Sequence, residues 1–145
     1  RIEMGHIAGS ELDGRTIPYD NSLEGLVSKK KDFIGKRSLD RKAFIAEDRQ
    51  KVVGVVPIDK KTSIPEGSHL VKDAIAPIPN PKLGYISASC WSVEYDNPFS
   101  LAILKDGKNM IGQKLFAMSP LKNKTIPVEI VSSHYVDPKG ERVRS

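Results

Sequence analysis

Residues 51–58, KVVGVVPI, begin a series of predicted β-strands. Within them, VVGVVPI (52–58) is the longest apolar run of the sequence and is rich in valine and isoleucine, as strands are. Shorter runs of the same character follow it: LGYISASC (83–90), SLAILK (100–105), KLFAM (114–118) and TIPVEIVSS (125–133). Turn signals separate them: PEG (65–67), PIPNP (77–81), DNP (96–98) and DGKN (106–109). Five or six such strands with no helix between them predict an antiparallel barrel or a rolled sheet.

The residues before Arg49 have a different character. Arg1 and Glu3 alternate with apolar residues, which predicts a first strand with both charges on one face. Residues 35–48 predict a helix, with Leu39, Ala43 and Phe44 on its apolar side. The expected fold class is therefore α+β, mainly β, with a helical, irregular lead-in before a small antiparallel β-barrel. Within the barrel, the Asp-Gly pair at 106–107 predicts a tight hairpin after SLAILK.

Length and composition limit the class of protein. With 145 residues, 39% hydrophobic and 28% charged, the chain suits one ordinary soluble domain, or a small domain plus a fragment. Its single cysteine, Cys90, excludes an internal disulfide and fits a reducing compartment, which predicts a cytoplasmic protein. The sequence has no apolar run of the length that a membrane helix needs, so no membrane partner is expected.

The net charge of +5 allows two interpretations. Basic residues cluster at 29–31 and 36–37, and again near the end of the chain. A solvated basic surface is the simpler interpretation, and an anionic partner is the alternative. Aromatic residues make up 6% of the chain and are not interleaved with the lysines, which argues against a nucleic-acid surface.

The sequence shows none of the common motifs of metal, nucleotide or nucleophilic catalytic sites. His6, His69 and His134 stand far apart, with no partner at ligand spacing, so no metal site is expected. No glycine-rich phosphate loop follows a strand. Cys90 has no basic neighbour in sequence to lower the pKa of its thiol, so we expect a buried, inert cysteine. These residues favour a binding domain over a catalytic one.

Two groups of residues remain as candidates for a site. Arg1 and Glu3 form either a surface ion pair or a ligand clamp, in which arginine holds a carbonyl or carboxylate and glutamate accepts from ring N–H groups. The strand GYISASCWS (84–92) is either a core strand with a buried Trp91 or a wall for a ring. Its Gly84 permits close approach of another backbone.

The order of several motifs resembles the aminomethyltransferase (glycine-cleavage T-protein) family. The shared patterns are an Arg-x-Glu-x-Gly segment, a Thr-x-Pro segment, a Lys-x-Asp-Phe-Ile-Gly segment and a late Gly-x-Ile-Ser strand. They stand here within RIEMGHIAGSELDGRTIPYD (1–20), GLVSKKKDFIGKRSL (25–39) and LGYISASCWS (83–92). Within that family, SKKKDFIGKRSLDR (28–41), SLAILKDGKN (100–109) and YVDPKGER (135–142) are most similar to alpha subunits of heterotetrameric sarcosine oxidases.

The resemblance implies a place in a larger enzyme. Such oxidases demethylate sarcosine to glycine, make hydrogen peroxide and pass the one-carbon unit to tetrahydrofolate. FAD, FMN and NAD would be bound elsewhere in the complex, and the partners here would be folate and the other subunits. Residues 1–48 would be the end of the folate-binding domain, and residues 49–145 the C-terminal barrel domain. The chain would then begin within a domain and be inactive alone.

Site residues are transferred by motif. Arg1 matches the family arginine that lies near folate, and Glu3 matches the glutamate of the same segment. Trp91 lies on a strand that matches a family strand, which suggests a folate contact. The acidic residue that assists the one-carbon chemistry has no counterpart here, so no catalytic residue is expected. Relatives often carry an aromatic residue near Gly25, where glycine removes any stacking contribution.

Three alternatives remain open at this point. The chain could belong to an aminomethyltransferase or folate-dependent demethylase without flavin subunits. It could instead be a non-catalytic module whose barrel docks other subunits. A basic RNA-binding barrel ranks last because the aromatic platform is missing.

Overall fold

Six antiparallel strands close into a barrel in the computed structural model, which describes residues 1–77 and 79–144. Around the barrel the strand order is β1-β4-β3-β2-β5-β6, and β1 pairs with β6 to close it. The strands are β1 (Gln50–Pro57), β2 (His69–Val71), β3 (Gly84–Ser92), β4 (Asn97–Lys105), β5 (Lys114–Ser119) and β6 (Lys124–Val131). The predicted barrel is confirmed. Of the predicted turn 77–81, Ile78 lies outside the described residues, as does Ser145.

Strand β1 is buried on both of its faces. Val53 and Val55 belong to the core inside the barrel. Val52 and Val56 belong to a second apolar cluster outside it, together with Phe99 of β4. A strand buried on both faces has no alternating pattern, which explains the continuous apolar run KVVGVVPI.

Both ends of the chain cover this outer cluster. Ile2, Ile7 and Tyr135 pack against it, and the Tyr135 ring stacks on Phe99 with centroids 4.5 Å apart. The Glu3 carbonyl oxygen accepts hydrogen bonds from the backbone N–H groups of Tyr135 (2.9 Å) and Val136 (3.0 Å). Residues from the lead-in and the tail therefore lie together on the outside of the barrel.

Two of the predicted elements in the lead-in are wrong. Residues 1–5 form a turn, not a strand, in which Gly5 has φ +68° and its N–H donates to the Ile2 carbonyl at 3.0 Å. The predicted helix 35–48 is two single turns, α1 (Lys36–Leu39) and α2 (Lys42–Ile45), because Arg41 is extended between them at ψ 139°. The lead-in also contains 3-10 turns at Gly9–Glu11, Pro18–Asn21 and Glu24–Leu26.

The hairpin predicted at 106–107 is also wrong. Strand β4 pairs with β1 and β3, whereas β5 pairs with β2 and β6. The chain after β4 forms a 3-10 turn, Gly107–Met110, that places Met110 in the interior core. Another 3-10 turn, Pro120–Lys122, joins β5 to β6, and a short helix α3 (Glu141–Arg144) follows a turn at 137–140. In the described part of the chain, no helix is both long and apolar enough to cross a membrane.

Candidate functional site

The centre of the candidate site is the carboxylate of Glu11, which is fully buried. Its Oε2 accepts a hydrogen bond from the Ala8 backbone N–H at 2.8 Å and lies 3.5 Å from Nη1 of Arg1. The Ser10 hydroxyl donates to Oε1 at 3.4 Å. A carboxylate inside a protein is tolerated only when it is paired and hydrogen-bonded in this way. Glu11 therefore holds the guanidinium of Arg1 in place.

Arg1 is held by Glu11 but remains open to solvent. Its Nη1 donates to the His6 carbonyl at 2.9 Å, and 43% of the side chain is exposed. A guanidinium has five N–H donors in a planar fork, so the exposed part can still donate to a ligand. The geometry suits recognition of a planar acceptor group.

Glu3 lies in the same region without joining the Arg1 ion pair. Of the two interpretations of Arg1 and Glu3, the ion pair between them is wrong, because Arg1 pairs with Glu11. Within the described residues, Glu3 Oε1 is buried and has no hydrogen-bond partner. Because a buried acceptor without a partner is costly, this oxygen would gain from an N–H donor.

Trp91 is not brought together with these residues. Successive side chains of a strand point to opposite faces. Cys90 packs in the outer cluster with Ile2, so Trp91 faces away from it. The indole is 51% exposed and donates from Nε1 to Asp96 at 3.3 Å, so the predicted buried Trp91 is wrong. A folate contact at Trp91 stays a prediction.

A cavity of about 370 Å³ lies between the lead-in and strands β1, β3 and β4 and is lined by residues of both. Its charged lining is largely paired: Asp20 with Arg49, and Asp13 with Arg15 at 2.5 Å. The Arg15 guanidinium holds the pKa of the Asp13 carboxyl below its usual value. Of these two pairs, Asp20–Arg49 joins the lead-in to the start of β1, whereas Asp13–Arg15 lies within the lead-in.

The chain has curated relatives along its whole length. It is 36% identical over 145 residues to the sarcosine oxidase subunit alpha of Rhizobium meliloti (strain 1021), with 99% of the chain and 15% of the relative covered. It is 37% identical to the same subunit of Corynebacterium sp. (strain U-96), at 98% and 15% coverage. Over its whole length the chain is similar in sequence to sarcosine oxidase alpha subunits. It spans about 15% of the length of those relatives, and no protein-family model matches it.

The fold of this chain is also found in a solved structure. Glycine cleavage system aminomethyltransferase T from Bartonella henselae matches it with a TM-score of 0.71 and 21% identity. The match covers 95% of this chain and 37% of that protein. The likeness confirms that this chain has the fold of part of that protein.

Sequence reasoning missed Glu11 as a member of the site. The motif GSELDG contains it, but nothing in the spacing shows that residue 11 folds back onto residue 1. The contact forms because the turn at 1–5 and the 3-10 turn Gly9–Glu11 reverse the chain twice. An acidic residue within a segment of turns was the available signal, and it is a weak one.

The thiol of Cys90 provides a chemical probe of the environment of Glu3. Burial raises the pKa of its thiol above 9.0, and the negative charge of Glu3 adds to the rise. Because the thiolate is the nucleophile, we expect iodoacetamide to alkylate Cys90 more slowly than a model thiol at pH 8. The rate should increase with pH through a midpoint above 9.0, and Glu3→Gln should increase it further at pH 8. Mass spectrometry of the alkylated protein measures this.

The unfolded chain in urea is the control for this experiment, and its thiol should react with the same pH dependence as the model thiol. A midpoint at or below 9.0 in the folded protein would contradict the environment described for Cys90.

Proposed function

We propose that this chain is part of a sarcosine-oxidising complex and contributes one side of its folate site. In this role it helps transfer the one-carbon unit from the oxidative demethylation of sarcosine to tetrahydrofolate. The relatives are named sarcosine oxidase subunit alpha, and the structural neighbour is an aminomethyltransferase. The observation that carries the proposal is the arrangement of Arg1 on buried Glu11, with the unpartnered oxygen of Glu3 in the same segment.

These residues fit a ring that offers both acceptors and N–H donors. Arg1 donates to acceptor atoms of the ring, and Glu11 keeps the guanidinium from rotating away. Glu3 accepts an N–H donor, which would satisfy its buried Oε1. Tetrahydrofolate, when bound, supplies the nitrogen that takes up the one-carbon unit. Arg1 and Glu3 contribute position, so their effect on rate comes through proximity and orientation.

The rest of the reaction belongs elsewhere in this proposal. FAD, FMN and NAD are held by other parts of the complex, and the oxidation of sarcosine takes place there. The other sarcosine oxidase subunits are the partners, and the location is cytoplasmic. Residues 1–48 form the end of the folate-binding domain, and residues 49–145 form the terminal barrel domain. Trp91 is kept as a further folate contact, to be tested separately.

Calorimetric titration of tetrahydrofolate into the chain tests the proposal. Arg1→Ala should weaken binding by about tenfold, equivalent to ~1.4 kcal/mol, because it removes a charge-assisted hydrogen bond. Glu3→Gln should also weaken binding, since a neutral amide accepts less strongly. Arg37→Ala is the matched control, because it removes an exposed arginine of the same lead-in, and it should leave binding unchanged.

Two results would contradict the folate site. One is that neither the wild-type chain nor a form extended upstream through the rest of the folate-binding domain shows binding heat, and the other is that Arg1→Ala and Arg37→Ala bind alike. Thermal unfolding of each variant separates loss of the site from loss of the fold.

A further inference from the structure

The lead-in contains a segment with no buried side chain. None of residues 22–47 is buried, although the barrel strands around them bury most of their apolar side chains. The segment nevertheless carries large apolar residues: Leu23, Leu26, Val27, Phe33, Ile34, Leu39, Phe44 and Ile45. A segment of this composition is ordered at an entropic cost that its own packing does not offset. Its apolar surface therefore indicates an interaction site.

Part of this apolar surface forms a groove. The groove has a volume of about 420 Å³ and is lined by Leu23, Leu26, Val27, Phe33 and Leu39, among others. Leu26 is 81% exposed, and the neighbouring Ile34 is fully exposed. Exposed large side chains beside an apolar groove are typical of anchor positions in protein interfaces.

The segment that supplies much of the groove lining is strongly basic. Residues 29–42 hold seven cationic and two acidic side chains, a local excess of five that equals the net charge of the whole chain. Lys31 and Asp32 line the groove itself, and Lys36 lies 3.9 Å from Asp32. A second copy of the chain would bring two such basic faces together, which like-charge repulsion disfavours. The complementary partner is acidic at its rim and apolar at its centre.

We propose that this face docks an acidic polypeptide segment that carries apolar side chains. The segment belongs to a polypeptide as long as the alpha subunits. Within that polypeptide it lies outside the region to which this chain corresponds. That part is large, because the chain covers 15% of its relatives. The apolar groove favours a polypeptide over a nucleic acid, which would need stacking rings among the lysines. The inference rests on the family relationship and is independent of the folate site.

A tiled set of synthetic peptides tests the docking face. The peptides are 20 residues long and cover the unmatched part of the Rhizobium meliloti subunit alpha, and fluorescence anisotropy measures their binding to the chain. We expect binding to concentrate on acidic peptides with several large apolar residues. Leu26→Asp should weaken it at least tenfold, whereas Leu121→Asp, at an exposed leucine in the turn between β5 and β6, should not. Reversing Lys29, Lys30 and Lys31 to glutamate should weaken binding and flatten its dependence on salt.

The outcomes separate this proposal from its competitors. Absence of selective binding, or equal binding by Leu26→Asp and wild type, overturns it. Binding of heparin and acidic peptides alike, regardless of apolar content, also overturns it and indicates a general polyanion surface. Dimerisation of the free chain that Leu26→Asp abolishes would replace the partner with a second copy. Tetrahydrofolate affinity should not change in Leu26→Asp, so the docking face and the folate site can fail independently.

Discussion

Gly84→Ala is expected to destabilise the barrel by at least about 3 kcal/mol, or to prevent folding. Gly84 is the first residue of β3, is buried, and pairs with Leu104 on one side and Leu70 on the other. An alanine Cβ at this position would overlap the carbonyl oxygen of Ile103 and lie 2.9 Å from Leu104 Cα. Both obstacles are backbone atoms of a paired strand. No side-chain rotation relieves the clash, so the strands must separate.

Urea denaturation followed by circular dichroism measures this effect. Gly14→Ala is the matched control, because no atom lies within 4 Å of the position that its Cβ would take. Its stability should stay within about 0.5–1 kcal/mol of wild type, and a small gain is possible through the unfolded state. Equal stability of the Gly84 and Gly14 variants would contradict the close pairing of β3 and β4 described here.

The consequence extends to the candidate site. Strand β3 carries Tyr85 and Cys90 on its outer face, where they pack with Ile2 of the lead-in. A shift of β3 would therefore move the surface against which the Arg1 segment lies. The sequence interpretation of Gly84 as a point of close backbone approach is confirmed, and the approaching backbone is that of β4.

The barrel could be predicted because its signal is local. Each strand from β3 to β6 lies within a few residues of a predicted apolar run, and β1 follows from KVVGVVPI. Strand β2 was missed because its three residues, His69–Val71, are too short to form a pattern. The interior and outer clusters each recruit residues from distant strands, which a sequence alone does not show.

The lead-in could not be predicted to the same degree, for a physical reason. Its turns are set by contacts with the barrel and not by periodicity, so the apolar spacing at 35–48 was misread as one helix. The pairing of Arg1 with Glu11 depends on a double reversal of the chain and left no mark in the residue spacing. The Arg-x-Glu spacing suggested the simpler partner, Glu3, and that prediction was wrong. Family resemblance pointed to this segment as a candidate site, and the structure shows which carboxylate holds the arginine.

One buried ion pair contributes to the attachment of the lead-in to the barrel. Asp20, which is 4% exposed, accepts hydrogen bonds from Arg49 Nε at 2.9 Å and from Nη2 at 2.5 Å. Arg49 also donates to the carbonyls of Ala43 and Arg15, and its guanidinium lies 5.2 Å from the centroid of Phe44. The hydrogen bond to Asp20 raises the pKa of Arg49. One arginine before β1 thus joins three parts of the lead-in.

Asp20→Ala is expected to cost about 2–4 kcal/mol of unfolding free energy. This is slightly below the ~3–5 kcal/mol typical of a fully buried pair, because 20% of the Arg49 side chain is exposed. Arg49→Lys should also lower the free energy of unfolding, since an ammonium cannot bind both oxygens of Asp20 in parallel. Chemical denaturation measures both variants. Asp13→Ala is the control, because its pair with Arg15 is exposed and should contribute little.

A double-mutant cycle decides whether the pair itself carries the effect. Asp20→Ala combined with Arg49→Met should be less destabilising than the sum of the two single changes, because neither charge is then left without its partner. Strict additivity, or equal losses from Asp20→Ala and Asp13→Ala, would contradict a structural role for this pair. The expected coupling would also explain how a lead-in with few buried side chains keeps a fixed position: charge pairing attaches it at residue 20, while its apolar groove stays exposed for a partner.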